Sequence, residues 1–366
     1  MQTISIKALV FVVSLFFFTS NLSGSFLPIY FKDAGLSIAQ IIEILLVTFL
    51  VIGFLPVALL KRVKNFERII AFGIFATLLF YLVLVYVRDP VILGLAYGVS
   101  TATFWPSFNL LQFRLSESKV RARTVSLFSS IIPSIASIVG PATGGFIIES
   151  FGFSALFSVS IILYLVAFLF SVRIRYSPET HEFSIPRNRI LPIFFVTFIL
   201  LGLSEAYWLA YPFFVQEISG SILHMGFVLT ISAVIISAIT YLVNWFSDIK
   251  KARVEFAVTG SLLHFSWFAI IGFASTTYDI VVLSLISGLA SAFSLSWFAY
   301  YADCFGREHY ASILVMMEVG LMIGRIINLA PTYLFVSQGN YASYFLSLGI
   351  ISLGLVPFFV LSRKRV

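Results

Sequence analysis

The chain has 366 residues, of which 60% are hydrophobic and only 11% charged, and its mean hydropathy is +1.04. That composition excludes a water-soluble domain. The formal net charge of +7 is spread over short segments between apolar runs, where it faces anionic lipid and not nucleic acid, and the single cysteine, Cys304, excludes an intramolecular disulfide or a thiolate metal cluster.

In chain order, apolar runs predict helices at Leu9–Phe31, Ile41–Leu60, Ile69–Val87, Val91–Phe113, Val125–Ile148, Phe153–Val172, Leu191–Val215, Met225–Phe246, Phe256–Phe273, Ile280–Ala302, Ala311–Val336 and Tyr341–Leu361. Each lies in or near the ~17–25 residues that cross a hydrocarbon core as helix. The first run is too long for a signal peptide and lacks a small-residue cleavage pattern, so it is read as a retained span. On this frame, twenty of the 23 Lys and Arg residues fall in the even-numbered connections or at the termini; only Lys32 and Arg88 lie opposite, and Arg325 lies within a span. A shift of the count by one helix would scatter the set over both faces. The expectation is an all-α membrane protein of twelve spans with both termini in the cytoplasm.

The polar segment between the sixth and seventh spans contains Pro178 and Pro186 and divides the chain almost equally. It reads as a cytoplasmic linker, residues 174–189, between a six-helix bundle over 1–173 and another over 190–366. The halves match weakly. At an offset of 184, Ser20, Asn21, Pro28, Asp33 and Ser37 fall on Ser204, Glu205, Pro212, Glu217 and Ser221; at 190, Asp89, Gly98 and Ala102 fall on Asp279, Gly288 and Ala292. A parallel repeat of this kind, related by an axis along the membrane normal, places a solute site near the midplane between the bundles.

Three strongly ionisable residues lie well inside spans: Glu205 in the seventh, and Glu318 and Arg325 in the eleventh. A lone charge at a helix centre costs about 2.5–3.5 kcal/mol on insertion scales, so each needs a partner or water. Glu205 and Arg325 each lie 14 residues beyond the start of their spans, ~21 Å deep at ~1.5 Å per residue, so they are expected to be level and paired. Glu318 and Arg325 share a helical face but stand ~10 Å apart along the axis, too far for a direct pair without bending or water. Asn328 extends the stripe, and Asn21 occupies the position of Glu205 in the first half. Glu43 reads as an interfacial carboxylate and His264 as a packing residue.

The fifth span contains Ala136-Ser137-Ile138-Val139-Gly140-Pro141-Ala142-Thr143-Gly144-Gly145. It is similar to the fifth-helix signature of the major facilitator superfamily, Gly-Pro-x-x-Gly-Gly. Arg121-Ala122-Arg123 before that span and Phe104-Trp105-Pro106 in the fourth also resemble the superfamily. The resemblance implies alternating access by two rocking bundles, with Gly140, Pro141, Gly144 and Gly145 at a moving surface. It also implies a central cavity lined by the fourth and tenth spans, hence by Trp105, Asn109, Trp297 and Tyr300. A conformational lock is implied in the loop holding Asp248 and Arg253, whereas Leu60 to Arg68 lacks the family's glycines and aspartate, and Gly94 stands where many proton antiporters carry a basic residue.

No phosphate-binding nucleotide loop and no catalytic constellation appear in the sequence, so a transporter is expected and not an enzyme. The reading is an ion-coupled exporter of a small amphiphilic solute, since the glycine string is associated with antiporters in the family. No cofactor is called for; either an ion gradient, of protons or sodium, or the solute's own gradient is expected to drive the cycle, and the expected state is a monomer in the cell membrane. Uptake of a polar solute and a non-transporting receptor of the same fold are the alternatives.

Overall fold

The computed structural model describes residues 6–63, 68–115, 139–174, 184–250 and 252–363, and all regular structure among them is helical. The helices are α1 Ile6–Ser23, α2 Leu27–Asp33, α3 Ile38–Arg62, α4 Ile69–Tyr86, α5 Pro90–Leu115, α6 Gly140–Ser171 and α7 Leu191–Glu205. There follow α8 Ala210–Ser219, α9 Ile222–Lys250, α10 Arg253–Ile271, α11 Thr277–Asp303, α12 Tyr310–Ser337, α13 Tyr341–Gly354 and α14 Val356–Arg363. Capping boxes fix two of the starts: Ser37 with Gln40 opens α3, and Thr276 with Asp279 opens α11.

Eleven segments of the described residues are long and apolar enough to cross a membrane. One of them, α6, contains two crossings. Gly152 has φ +80° and ψ 173°, a conformation that a residue with a Cβ rarely adopts. The contacts on either side of it show the reversal. Gly140 and Gly144 climb past Asn21, Leu22 and Phe26, Phe153 and Phe157 reach Tyr30, and then Tyr164 and Phe170 return to Phe16 and Phe11. The arms of α6 are therefore the end of the fifth span and the sixth span, which makes twelve. The earlier part of the fifth span and the Arg121-Ala122-Arg123 element lie outside the described residues.

The first and seventh spans depart from the continuous helices expected. Each is interrupted by a 3₁₀ turn, at Gly24–Phe26 and at Ala206–Trp208. The cause is local and repeated. Pro28 cannot donate to Gly24, and Pro212 cannot donate to Trp208, so each span loses an i→i−4 bond just before its proline. Those are the two prolines that coincide at the 184-residue offset.

Packing repeats as well. In the first half α3 and α4 lie on α5, and α6 lies on α1 and α4; in the second, α9 and α10 lie on α11, α12 on α7, and α13 on α10. Gly98 of α5 sits against Thr48 and Val51 of α3, while its counterpart Gly288 of α11 sits against Ile236 and Ile239 of α9. The most extensive contacts between the sets are two equivalent ones, α6 with α9 and α3 with α12. Large apolar side chains such as Phe72, Ile162, Leu242 and Ile350 stay exposed on the outside, as hydrocarbon surroundings allow, with backbone polar groups satisfied inside helices.

Candidate functional site

The break in the seventh span builds the site. In a continuous helix the Leu203 carbonyl would accept from the amide of Tyr207, but that residue lies in the 3₁₀ turn. Asn328 of α12 takes the carbonyl instead, donating from Nδ2 at 2.6 Å. Its Oδ1 in turn accepts from Thr332 Oγ1 at 2.6 Å and from the Tyr344 hydroxyl of α13 at 2.8 Å. Asn328, Thr332 and Tyr344 are fully buried. A buried polar network satisfied in this way is rigid, and it ties the interrupted span to α12 and α13.

One turn earlier on α12, Arg325 reaches the same break. Its Nη2 donates to Glu205 Oε2 at 3.2 Å, its Nη1 lies 3.8 Å from Glu318 Oε2, and its guanidinium sits 5.0 Å from the centre of the Trp208 ring. Trp208 meets Phe49 of α3, so the cluster borders the other half of the molecule. Two carboxylates thus share one guanidinium. They are unequal: the Glu318 side chain is 6% exposed and that of Glu205 45%.

The Glu318–Arg325 contact corrects the expectation of a separation too large for pairing. Side chains on a helix lean toward its N-terminus, so Arg325 extends back along α12 and covers most of the two-turn gap. Asn328 is also placed differently from a solute-facing residue, since its amide is consumed by the backbone and by Thr332 and Tyr344. Asn21 folds back onto its own helix, donating to the Phe17 carbonyl at 2.9 Å, with Gly140 beside it.

Trp297 and Tyr300 are not brought to the break. Trp297 is 2% exposed and packs with Phe194 and Phe359, and half-buried Tyr300 joins the same aromatic cluster within the second set. The rotation of α11 turns them toward α7 and α14, which a position on the tenth span does not reveal. Trp105 remains 37% exposed, edge-on to Phe17, and Asn109 is half-buried. Glu43 is exposed, and His264 lies beside Phe268.

The glycine string divides between two partners. A Cβ on Gly144 would collide with the Leu22 carbonyl of α1, and one on Gly140 would press on Asn21, both in the same set. Pro141, Ala142 and Gly145, on the other face, meet α9: a Cβ on Gly145 would lie 2.9 Å from the Ile222 carbonyl, and Pro141 and Ala142 abut Gly226. Thr230 of α9 accepts the Ala142 amide at 2.9 Å across the same seam. At the basic end, Arg253 pairs with Asp303 at 2.9 Å, joining the start of α10 to the end of α11. The Asp248 side chain lies outside the described residues. Sequence reasoning passed over Trp208, Thr332, Tyr344 and Asp303; for Trp208 the available signal was Pro212 four residues on.

Broken spans at equivalent positions of two parallel halves, with a charged cluster at one break, are the arrangement of a membrane transporter. Residues 6–190, just over half of the chain, match the family model of the Major Facilitator Superfamily. The chain belongs to the major facilitator superfamily. As a member it is a multi-pass integral membrane transporter of small solutes and not an enzyme. It is similar to the uncharacterized protein YqgE of Bacillus subtilis (strain 168), with 24% identity over 93% of this chain and 85% of that one. A match at 27% identity, to an uncharacterized protein in the sodM 3' region of Geobacillus stearothermophilus, covers 36% of this chain and 64% of that one. Among solved structures, the human organic anion transporter MFSD10 (TETRAN) superposes with a TM-score of 0.66 at 12% identity, covering 97% of this chain and 99% of that one. A variant of the E. coli fucose:proton symporter FucP gives 0.67 at 16% identity over 99% of both chains.

Proposed function

We propose that this superfamily member is a proton-coupled antiporter that exports a small amphiphilic solute. The carrying observation is the sharing of one guanidinium by two carboxylates at the broken seventh span. With both carboxylates ionised the cluster holds one negative charge too many for a dehydrated site. A proton on Glu318 removes that excess, and so does a cationic group of the solute against the more exposed Glu205. Proton and solute therefore occupy the cluster in alternation. The Gly-Pro-x-x-Gly-Gly string supports the export direction, by its association with antiporters in the family. Bundles 1–173 and 190–366, joined by the linker 174–189, rock about the seams of α6 with α9 and α3 with α12, with Gly145 and Gly226 in close contact at the first.

In proteoliposomes holding the purified protein, an acidic lumen should drive accumulation of ethidium. Glu318→Gln should reduce accumulation to the passive level yet keep exchange of internal for external ethidium. Gradient-driven accumulation unchanged in that variant would remove Glu318 from the proton path. Uptake of a polar solute is the second reading, favoured by the charged character of the cluster, and the sign of proton movement on solute addition separates the two. Absence of flux for any solute that binds would leave the receptor alternative.

The cytoplasmic placement of the linker and both termini rests on the basic loops. A cysteine introduced by Arg187→Cys should be shielded in intact cells from an impermeant maleimide added outside. Cys304 gives little background, because burial pushes its thiol up to about 12. Labelling from outside would reverse the orientation.

A further inference from the structure

Lys32 and Arg88 are the two basic residues that the charge pattern leaves at the end opposite the basic loops. Both line one open cavity of about 800 Å³, within the ~300–1,000 Å³ range of small-ligand sites. Lys32 lies in the last turn of α2, with Nζ 5.5 Å from the centre of the Phe213 ring of α8. Arg88, just beyond α4, lies 5.3 Å from the centre of the Tyr30 ring and donates through Nη1 to the carbonyls of Leu84 at 2.8 Å and Val87 at 3.1 Å. The Tyr30 hydroxyl donates to the same Leu84 carbonyl at 2.8 Å, which fixes the pair. Capping of a helix C-terminus accounts for a cation at either place. It does not account for the convergence of both on one cavity at an end otherwise without basic residues.

Asp33 lines the cavity too, yet among the described residues it forms no ion pair with Lys32 or Arg88. Two cations and one carboxylate leave a single positive charge, which matches a singly charged phosphodiester. Phe151 on the wall is 70% exposed, an apolar surface at a membrane-interface depth. Gln216 and Ile222 complete the lining from the second half of the molecule. We propose that this cavity binds the phosphodiester of an anionic lipid head group, held by Lys32 and Arg88, with an acyl chain along Phe151. Because the lining comes from both halves, the bound lipid favours the arrangement in which α2 meets α8. This site is separate from the charged cluster at the seventh span, and its occupancy is read without transport.

Ser154 lines the cavity and is exposed, so a Ser154→Cys variant in a Cys304→Ser background reports on it directly. Its rate of labelling by fluorescein maleimide is measured in detergent against dioctanoyl phosphatidylglycerol, dioctanoyl phosphatidylcholine and glycerophosphoglycerol. The anionic lipid should slow labelling saturably, and phosphatidylcholine should not. Lys32→Gln and Arg88→Gln should each raise the lipid concentration required by about tenfold, the loss of one charge-assisted contact, while Lys32→Arg keeps protection. Equal protection by glycerophosphoglycerol would keep the phosphodiester site and assign it to a soluble ester. Equal protection by phosphatidylcholine, or unchanged protection in the Lys32→Gln, Arg88→Gln double variant, would overturn the proposal. If Arg88→Gln cannot be purified, Lys32→Gln decides, since that side chain stands exposed at the cavity.

Discussion

Arg325→Gln should be the most damaging single charge neutralisation in the membrane interior, lowering stability by about 3–5 kcal/mol, the usual cost of stranding a buried charge. Among the described residues the guanidinium is the one cation paired with both carboxylates, and Arg325 and Glu318 are 10% and 6% exposed at the side chain. Removing it leaves Glu318 without its partner in a low-dielectric setting. Glu205→Gln is a different case: its side chain is 45% exposed, solvent screens the pair, and the effect should stay within ~1 kcal/mol, because Arg325 keeps Glu318. The double variant Arg325→Gln, Glu318→Gln should recover much of the loss, and a cycle over these two positions should show strong coupling. The fraction of protein remaining monodisperse after graded heating in detergent measures it. Additive effects at Arg325 and Glu318, or a larger effect from Glu205→Gln than from Arg325→Gln, would contradict this arrangement of charges.

The second large effect separates two adjacent glycines. Gly144→Leu should fail in folding, because its Cβ meets the Leu22 carbonyl inside one packed set and overpacking there costs about 1–3 kcal/mol or more. Gly145→Leu should fold, since its collision is with the Ile222 backbone of α9 across the seam between sets, and the sets can part. The expected result for Gly145→Leu is normal yield with solute flux reduced to near background, as the arrangement that needs close approach at that seam is lost. Size-exclusion profiles and ethidium flux on the two variants give the answer. A stable, inactive Gly144→Leu together with an active Gly145→Leu would reverse the assignment.

Much of this was legible before any coordinates. The spans, their number and the six-plus-six plan follow from run length and from where lysine and arginine can sit, and the depth match of Glu205 with Arg325 follows from helical rise alone. Pro28 and Pro212 stood at equivalent positions in the sequence, whereas the glycines at 140, 144 and 145, expected together at one moving surface, divide between α1 and α9. What could not be read was which face meets which neighbour. Trp297 and Tyr300 sit on the tenth span as expected, yet a rotation of α11 about its axis points them into a local aromatic cluster.

The sequence by itself determined what hydrophobicity and backbone chemistry decide locally: helices of membrane length, breaks where a proline removes a donor, and a fold-back where Gly152 alone tolerates its dihedrals. Tertiary structure decided the partners. Arg325 bridges Glu205 and Glu318, Asn328 serves the Leu203 carbonyl, and Lys32 and Arg88 converge on one cavity, because helix rotation and the reach of a flexible side chain set these contacts. Neither is encoded in spacing along a single helix, where an axial separation of two turns looked too long and an arginine proved able to span it.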